Sequence, residues 1–172
     1  MPKELVILVN EKDKPIGVEE KLKAHLEGKL HRCFSILILN SKGEILIQKR
    51  AETKYHSPGL WSNTCCSHPR PNEKIIEAAK RRLKEEMGIE TVLNEIFKFS
   101  YRAKIGNLIE NEIDHVFFGR FDGNPIVNKK EVGDWRWINL KDLKKDLKEN
   151  PEKYTFWFRK ILENANKFKT LL

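Results

Sequence analysis

The 172-residue sequence predicts a mixed α/β fold, and three observations predict it. Over residues 72–87 the apolar side chains Ile75, Ala79, Leu83 and Met87 recur every four residues, which lines one face of a helix of about four turns. Residues 95–104 and 108–118 alternate instead, the period of a strand with two unlike faces. Residues 34–39 and 45–47 are short unbroken apolar runs, suited to the buried centre of a sheet.

Length and composition point to one domain, 1–172, that buries about 70% of the surface its unfolded chain exposes. Apolar residues at 40% and charged residues at 34% describe an ordinary globular chain without repeats or low-complexity runs. The apolar run at 5–9 is too short for a signal peptide or a membrane span, so a cytoplasmic protein with no membrane partner is expected. Three cysteines, Cys33, Cys65 and Cys66, lack CxxC spacing and read as reduced thiols. A net charge of +8 suits nucleic acid or an anionic small molecule. No basic stripe interleaved with aromatics accompanies it, so no nucleic-acid partner is expected; the oligomeric state is left open.

In chain order, 5–9 reads as a strand, 10–14 as a polar turn and 18–26 as a short helix carrying Lys21 and His25. The runs 34–39 and 45–47 are joined by Asn40-Ser41-Lys42-Gly43 and read as a central hairpin. Arg50 and Lys54 precede a loop at Pro58 and Gly59. The helix opens with Asn72 as N-cap and stops at Gly88, with ion pairs expected from Glu77 to Arg81 and from Arg81 to Glu85. In the strand 95–104, Phe97, Phe99, Tyr101 and Ala103 share a face. In 108–118 the period of two puts Glu110, Glu112 and Asp114 together, on what read alone is a solvated face. A strand at 131–138 with Trp135 and Trp137 on one side, a lysine-rich helix at 140–147 and a last helix running from Phe156 toward Phe168 complete the chain.

The helix carries a further pattern. Glu73, Arg81, Leu83, Glu85, Glu86, Gly88 and Ile89 fall on the Nudix box, G-x5-E-x7-R-E-U-x-E-E-x-G-U with U aliphatic. Ser67 stands in place of its glycine, and Arg82 in place of the Glu before the aliphatic residue. Just upstream, Asn63-Thr64-Cys65-Cys66-Ser67-His68-Pro69 resembles the cysteine motif of type I isopentenyl-diphosphate isomerases, Nudix-fold enzymes that isomerise rather than hydrolyse. The resemblance implies a Nudix-type α/β/α sandwich with a mixed sheet. It further implies conversion of isopentenyl diphosphate to dimethylallyl diphosphate in isoprenoid biosynthesis. A Nudix hydrolase of a nucleotide or other diphosphate is the alternative, and a Nudix-fold binding module without turnover is the non-enzymatic one.

Carried over residue by residue, the resemblance gives His25, His31, His68, Glu110 and Glu112 to one divalent ion, Mn2+, Zn2+ or Mg2+. The chemistry of imidazole with carboxylate suits any of the three. It gives Glu86 to a Mg2+ carried with the substrate diphosphate. Lys21, Arg50, Lys54 and Arg82 are placed around that diphosphate, whose charge calls for several charge-assisted donors. Cys66 stands on one side of the substrate, Glu112 with Tyr101 on the other, and Trp157 over the hydrocarbon end. Moving the double bond through a tertiary carbocation needs an acid, a base on the opposite side and a dry pocket. Glu112 with Tyr101 is favoured as the protonating side and Cys66 as the deprotonating one, with Cys65 as internal control.

Overall fold

The computed structural model describes residues 4–164 and residue 166. Among them nine strands form one mixed sheet flanked by helices on both faces. The chain opens with β1 (Leu5–Val9) and β2 (Pro15–Glu20), then α1 (Lys21–Glu27), β3 (His31–Leu39), β4 (Glu44–Arg50) and the short β5 (Trp61–Ser62) and β6 (Cys65–Ser67). Helix α2 (Ile75–Met87) leads into β7 (Asn94–Ile105), β8 (Leu108–Arg120) and β9 (Val132–Asn139). Helix α3 (Leu140–Glu149), a 3-10 turn at Pro151–Lys153 and α4 (Phe156–Glu163) follow.

The pairing that positions the site is parallel: β3 runs beside β8 with His31 opposite Glu112, Cys33 opposite Asp114 and Leu37 opposite Phe118. Alternation then sorts both strands onto two cores. Phe34, Ile36 and Ile38 meet Ala78, Ala79, Leu83 and Met87 of α2 on one face. Leu37, Leu39, Val116 and Phe118 meet Trp157, Phe158 and Ile161 of α4 on the other. That second face is apolar only in its later half. Its earlier half presents His31, Cys33 and Ser35 from β3 and Glu110, Glu112 and Asp114 from β8, all of them buried.

Several local expectations are corrected. The segment before α1 is strand, not helix: Val18, Leu22 and Leu26 mimic a helical stripe, but the free edge of β1 takes up Pro15–Glu20 over five register pairs. The helix begins at Lys21. Asn72 does not cap α2; it adopts the left-handed conformation (φ +65°) that asparagine tolerates, within the turn before the helix. Lys74 occupies the N-cap position without a side-chain bond, while Gly88, at φ +66°, ends the helix as expected. Glu77 pairs with Lys80 at 3.2 Å rather than with Arg81, whose guanidinium grips Glu73 at 2.7 and 2.9 Å and reaches Glu85 at 3.2 Å.

The central hairpin is a hairpin only at its turn. Asn40 Oδ1 accepts from the backbone of Lys42 and Glu44, and Leu39 pairs with Ile45. Beyond that the strands part, because β6 takes the edge of β3 at Phe34 to Ile36 while β4 pairs with β9 and β5. The last helix ends at Glu163, and Phe168 lies outside the described residues.

Candidate active site

Three elements converge on Glu112 of β8. Helix α1 brings His25, β3 brings His31, and the chain leaving β6 brings His68. Their Nε2 atoms lie 3.8, 3.1 and 2.9 Å from Glu112 Oε1. Their ligand atoms fall within 4.8 Å of one another. The other ring nitrogens of the first two are spoken for: His25 Nδ1 donates to the Lys21 carbonyl at 2.7 Å and His31 Nδ1 to the Lys29 carbonyl at 2.8 Å. Their protons therefore sit on Nδ1, and Nε2 presents a lone pair to a carboxylate oxygen. Acceptor facing acceptor in a buried place is costly unless a cation lies between them, and a backbone carbonyl on the second nitrogen is how metal-bound histidines are oriented. Glu110, from the same face of β8, turns Oε2 toward His25 Nε2 at 3.8 Å. The residues present fit a divalent ion.

Burial pushes His68 down to about 3 despite its bond to Glu112, and lowers His25 as well, so these imidazoles are neutral at neutral pH. Burial would raise Glu112, but the close approach of His31 and His68 outweighs it and holds this carboxyl well below its usual range. Glu110 goes the other way, raised by burial and by the charge of Glu112. Tyr101, opposite Glu112 on β7, donates to Glu112 Oε2 at 2.5 Å and lies 3.4 Å from Glu110 Oε2.

A cavity opens beside this cluster. It is bordered by Cys66, His68, Tyr101, Glu110, Glu112 and Trp157, together with Lys21, Arg50, Lys54 and Arg82. His25 and His31 stand behind its wall. The adjacent cysteines are sorted by strand pairing: Cys65 opposes Ile36 and is fully buried against α2, whereas Cys66 opposes Ser35 and faces the cavity. Enclosure pushes the Cys66 thiol up to about 12, with Arg50, whose Nη1 is 3.9 Å from Sγ, as the main opposing influence. The Trp157 indole is fixed by its N–H to Ser62 Oγ at 3.0 Å and lies 5.3 Å from the Arg50 guanidinium.

A second, more polar cleft shares Lys21, Lys54, His68 and Arg82 with the first and extends toward Arg70 and Arg81. The cations at this neck have carboxylate partners: Lys21 bonds Glu4 at 2.9 Å, Lys54 bonds Glu131, and Arg82 reaches Glu85 at 2.9 Å, Glu86 at 2.5 Å and Glu131 at 3.3 Å. Glu86 is not a wall residue. It lies behind Arg82, nearly buried, with its second oxygen accepting from Gln48 at 3.1 Å.

The roles of two cavity residues escape the sequence reading. Asp114 accepts from Ser35 Oγ at 2.7 Å; burial, then the Glu112 charge, push it up to about 7 against that bond. The spacing that grouped it with Glu110 and Glu112 gave it no partner. His56, in the loop after Lys54, faces Glu110 with Nε2 3.3 Å from Oε1. Burial, followed by the charge of Arg50, pushes it down to about 2. A lone histidine between loop residues carried no signal in the sequence.

Residues 29–158 match the model of the NUDIX domain. The chain is 56% identical over 161 residues to isopentenyl-diphosphate Delta-isomerase 1 of Aromatoleum aromaticum, covering 93% of this chain and 91% of that protein. It is 51% identical to isopentenyl-diphosphate Delta-isomerase 2 of Photorhabdus laumondii, covering 95% and 93%. In fold it is similar to the MutT protein of Methanosarcina mazei, with a TM-score of 0.67 at 22% identity over 81% of this chain and 95% of that one.

Proposed function

The chain belongs to the isopentenyl-diphosphate Delta-isomerase family of NUDIX-domain proteins, and from this premise we propose how its cavity divides the work of the reaction. The enzyme isomerises isopentenyl diphosphate to dimethylallyl diphosphate. The observation that carries the division of labour is that Cys66 and the Tyr101–Glu112 pair border one cavity whose neck is lined by cations.

Lys21, Arg50, Lys54 and Arg82 receive the diphosphate, the two lysines and Arg82 exchanging internal carboxylate partners for phosphate oxygens. Exchange of this kind holds the empty cations in place while leaving them available. The polar cleft continuous with the neck orients the substrate, with its anionic end toward Arg70 and Arg81 and its hydrocarbon end toward Trp157. An indole face in a desolvated pocket stabilises a cation by up to about 2 kcal/mol. It does so without offering an oxygen that could trap the carbocation.

On one side Glu112, relayed by Tyr101, delivers a proton to the terminal carbon. The proton at hand is that of the Tyr101 hydroxyl, which bonds Glu112 Oε2 and which burial keeps on the oxygen. On the other side Cys66 takes a proton from C2. Arg50 supplies the nearest positive charge that draws the thiol down toward the thiolate this step needs.

His25, His31, His68, Glu110 and Glu112 would hold one divalent ion, and Glu86 would hold a Mg2+ carried with the diphosphate. Bound ions supply positive charge that neutralises the diphosphate and fixes the buried carboxylates. The hydrolase alternative is not favoured by the relatives, and Arg82 stands where the Nudix box supplies a metal-binding carboxylate.

Proton NMR of the metal-replete protein with isopentenyl diphosphate in D2O, following alkene signals and free phosphate together, tests this reading. Dimethylallyl diphosphate deuterated in a methyl group without phosphate release is expected. Cleaved diphosphate would replace the isomerase with a hydrolase.

A further inference from the structure

The loop 51–59 is built to hold one ring still. Arg50 donates from Nε to the Ser57 carbonyl at 3.2 Å and from Nη2 to the His56 carbonyl at 3.1 Å, and the Gly59 N–H returns to the Arg50 carbonyl at 3.1 Å. Ser57 is held in the left-handed region, at φ +47°, where a residue with a side chain rarely sits. Tyr55 and Trp157 flank the His56 ring, with centroids 4.6 and 5.8 Å away.

That ring lies beside the histidine–carboxylate cluster, outside it. His56 Nε2 is 3.3 Å from Glu110 Oε1, and Glu110 Oε2 is the oxygen turned to His25. Glu110 Oε1 is buried and has no hydrogen-bond partner. A buried carboxylate oxygen left bare is costly, and a carboxylate that binds an ion through one oxygen is ordinarily oriented by a donor on the other.

From this juxtaposition we propose that His56 is a positioning residue of the metal centre: its Nε2–H donates to Glu110 Oε1 and thereby holds Oε2 toward the ion. His56 is not itself a ligand, because it faces the oxygen turned away from the cluster. The inference rests on reading the five-residue cluster as an ion site.

The test measures affinity, not turnover. Zn2+ binding to the metal-stripped protein is followed by competition with a chromogenic chelator, in excess Mg2+ so that weaker oxygen sites are already filled. His56→Phe keeps a ring against Trp157 and Tyr55 but removes the donor; His56→Gln keeps a donor without the ring. His56→Phe is expected to weaken Zn2+ binding by about 10- to 100-fold, and His56→Gln by no more than about threefold. His56→Leu is a second donor-free variant should phenylalanine not be accommodated.

Wild-type affinity in either donor-free variant, or equal weakening in His56→Gln, overturns the proposal. A wild-type protein that binds no Zn2+ removes the ion site itself, and the inference with it. The two failures are therefore distinguishable.

Discussion

Tyr101 stands directly opposite Glu112 across the β7–β8 ladder and donates to Oε2 at 2.5 Å, while Oε1 of the same carboxylate lies 3.1 and 2.9 Å from Nε2 of His31 and His68. One carboxylate is thus divided between an imidazole cluster and a phenol. Tyr101→Phe removes only the phenol's half. Turnover is expected to fall by about 10²- to 10⁴-fold while Zn2+ affinity changes by less than about tenfold. A parallel loss of both would assign Tyr101 to holding the ion rather than to moving a proton.

The two cysteines separate reagent from packing. Cys65→Ala, deep against α2, is expected to cost about 1 to 2 kcal/mol of stability and leave turnover in place. Cys66→Ala is expected to abolish product while retaining half the chemistry. In D2O, Glu112 and Tyr101 still deliver deuterium to the terminal carbon, and the cation collapses back by losing hydrogen from the same methyl group. Deuterium therefore accumulates in unreacted isopentenyl diphosphate. Unlabelled substrate would instead make Cys66 the proton donor.

Arg82 lies among Glu85, Glu86 and Glu131, so Arg82→Glu gathers four carboxylates where the diphosphate must enter. KM for isopentenyl diphosphate is expected to rise by at least about tenfold, the loss of one strong charge-assisted contact, with no phosphate released. Released phosphate, measured colorimetrically, would mean that the lost Nudix carboxylate had restored hydrolysis.

Acid should weaken the metal-free fold through His68. Its folded value of about 3 lies below the ordinary 6.5, so between these limits the unfolded chain binds more protons and stability falls as pH falls. Asp114, raised to about 7 from 3.8, works in the opposite direction over much of the same range. The contribution of His68 is therefore read as a difference. The thermal midpoint of the wild type should drop more steeply from pH 6.5 to 5 than that of His68→Gln, and equal slopes would contradict it.

How far the sequence alone could reach is visible in single residues. Ile75, Ala79, Leu83, Met87 and Gly88 announce α2 because periodicity and a left-handed stop are local properties. β2 was not legible, since only the free edge of β1 decides that Pro15–Glu20 is strand. Nor was the parting of β3 from β4, which depends on a competing edge supplied by β6. His31 and Glu112 are 81 positions apart, and no spacing rule joins them; the cysteine motif did so by resemblance, and the β3–β8 register brings them into contact. His56 had neither a motif nor a period, and its relation to Glu110 exists only in three dimensions.

The parallel register of β3 and β8 carries a further consequence, for the lifetime of the protein. An ion shared by His25, His31, His68 and the two β8 carboxylates, as proposed above, would close loops that the bare chain must close by strand pairing alone. Unfolding then releases the ion, so persistence of the folded state rises with the logarithm of metal supply, by about 2.7 kcal/mol when the free ion is at a hundred times its dissociation constant. Starvation for that ion would therefore shorten the protein's survival as well as slow its catalysis, and resupply would rescue only the molecules still folded.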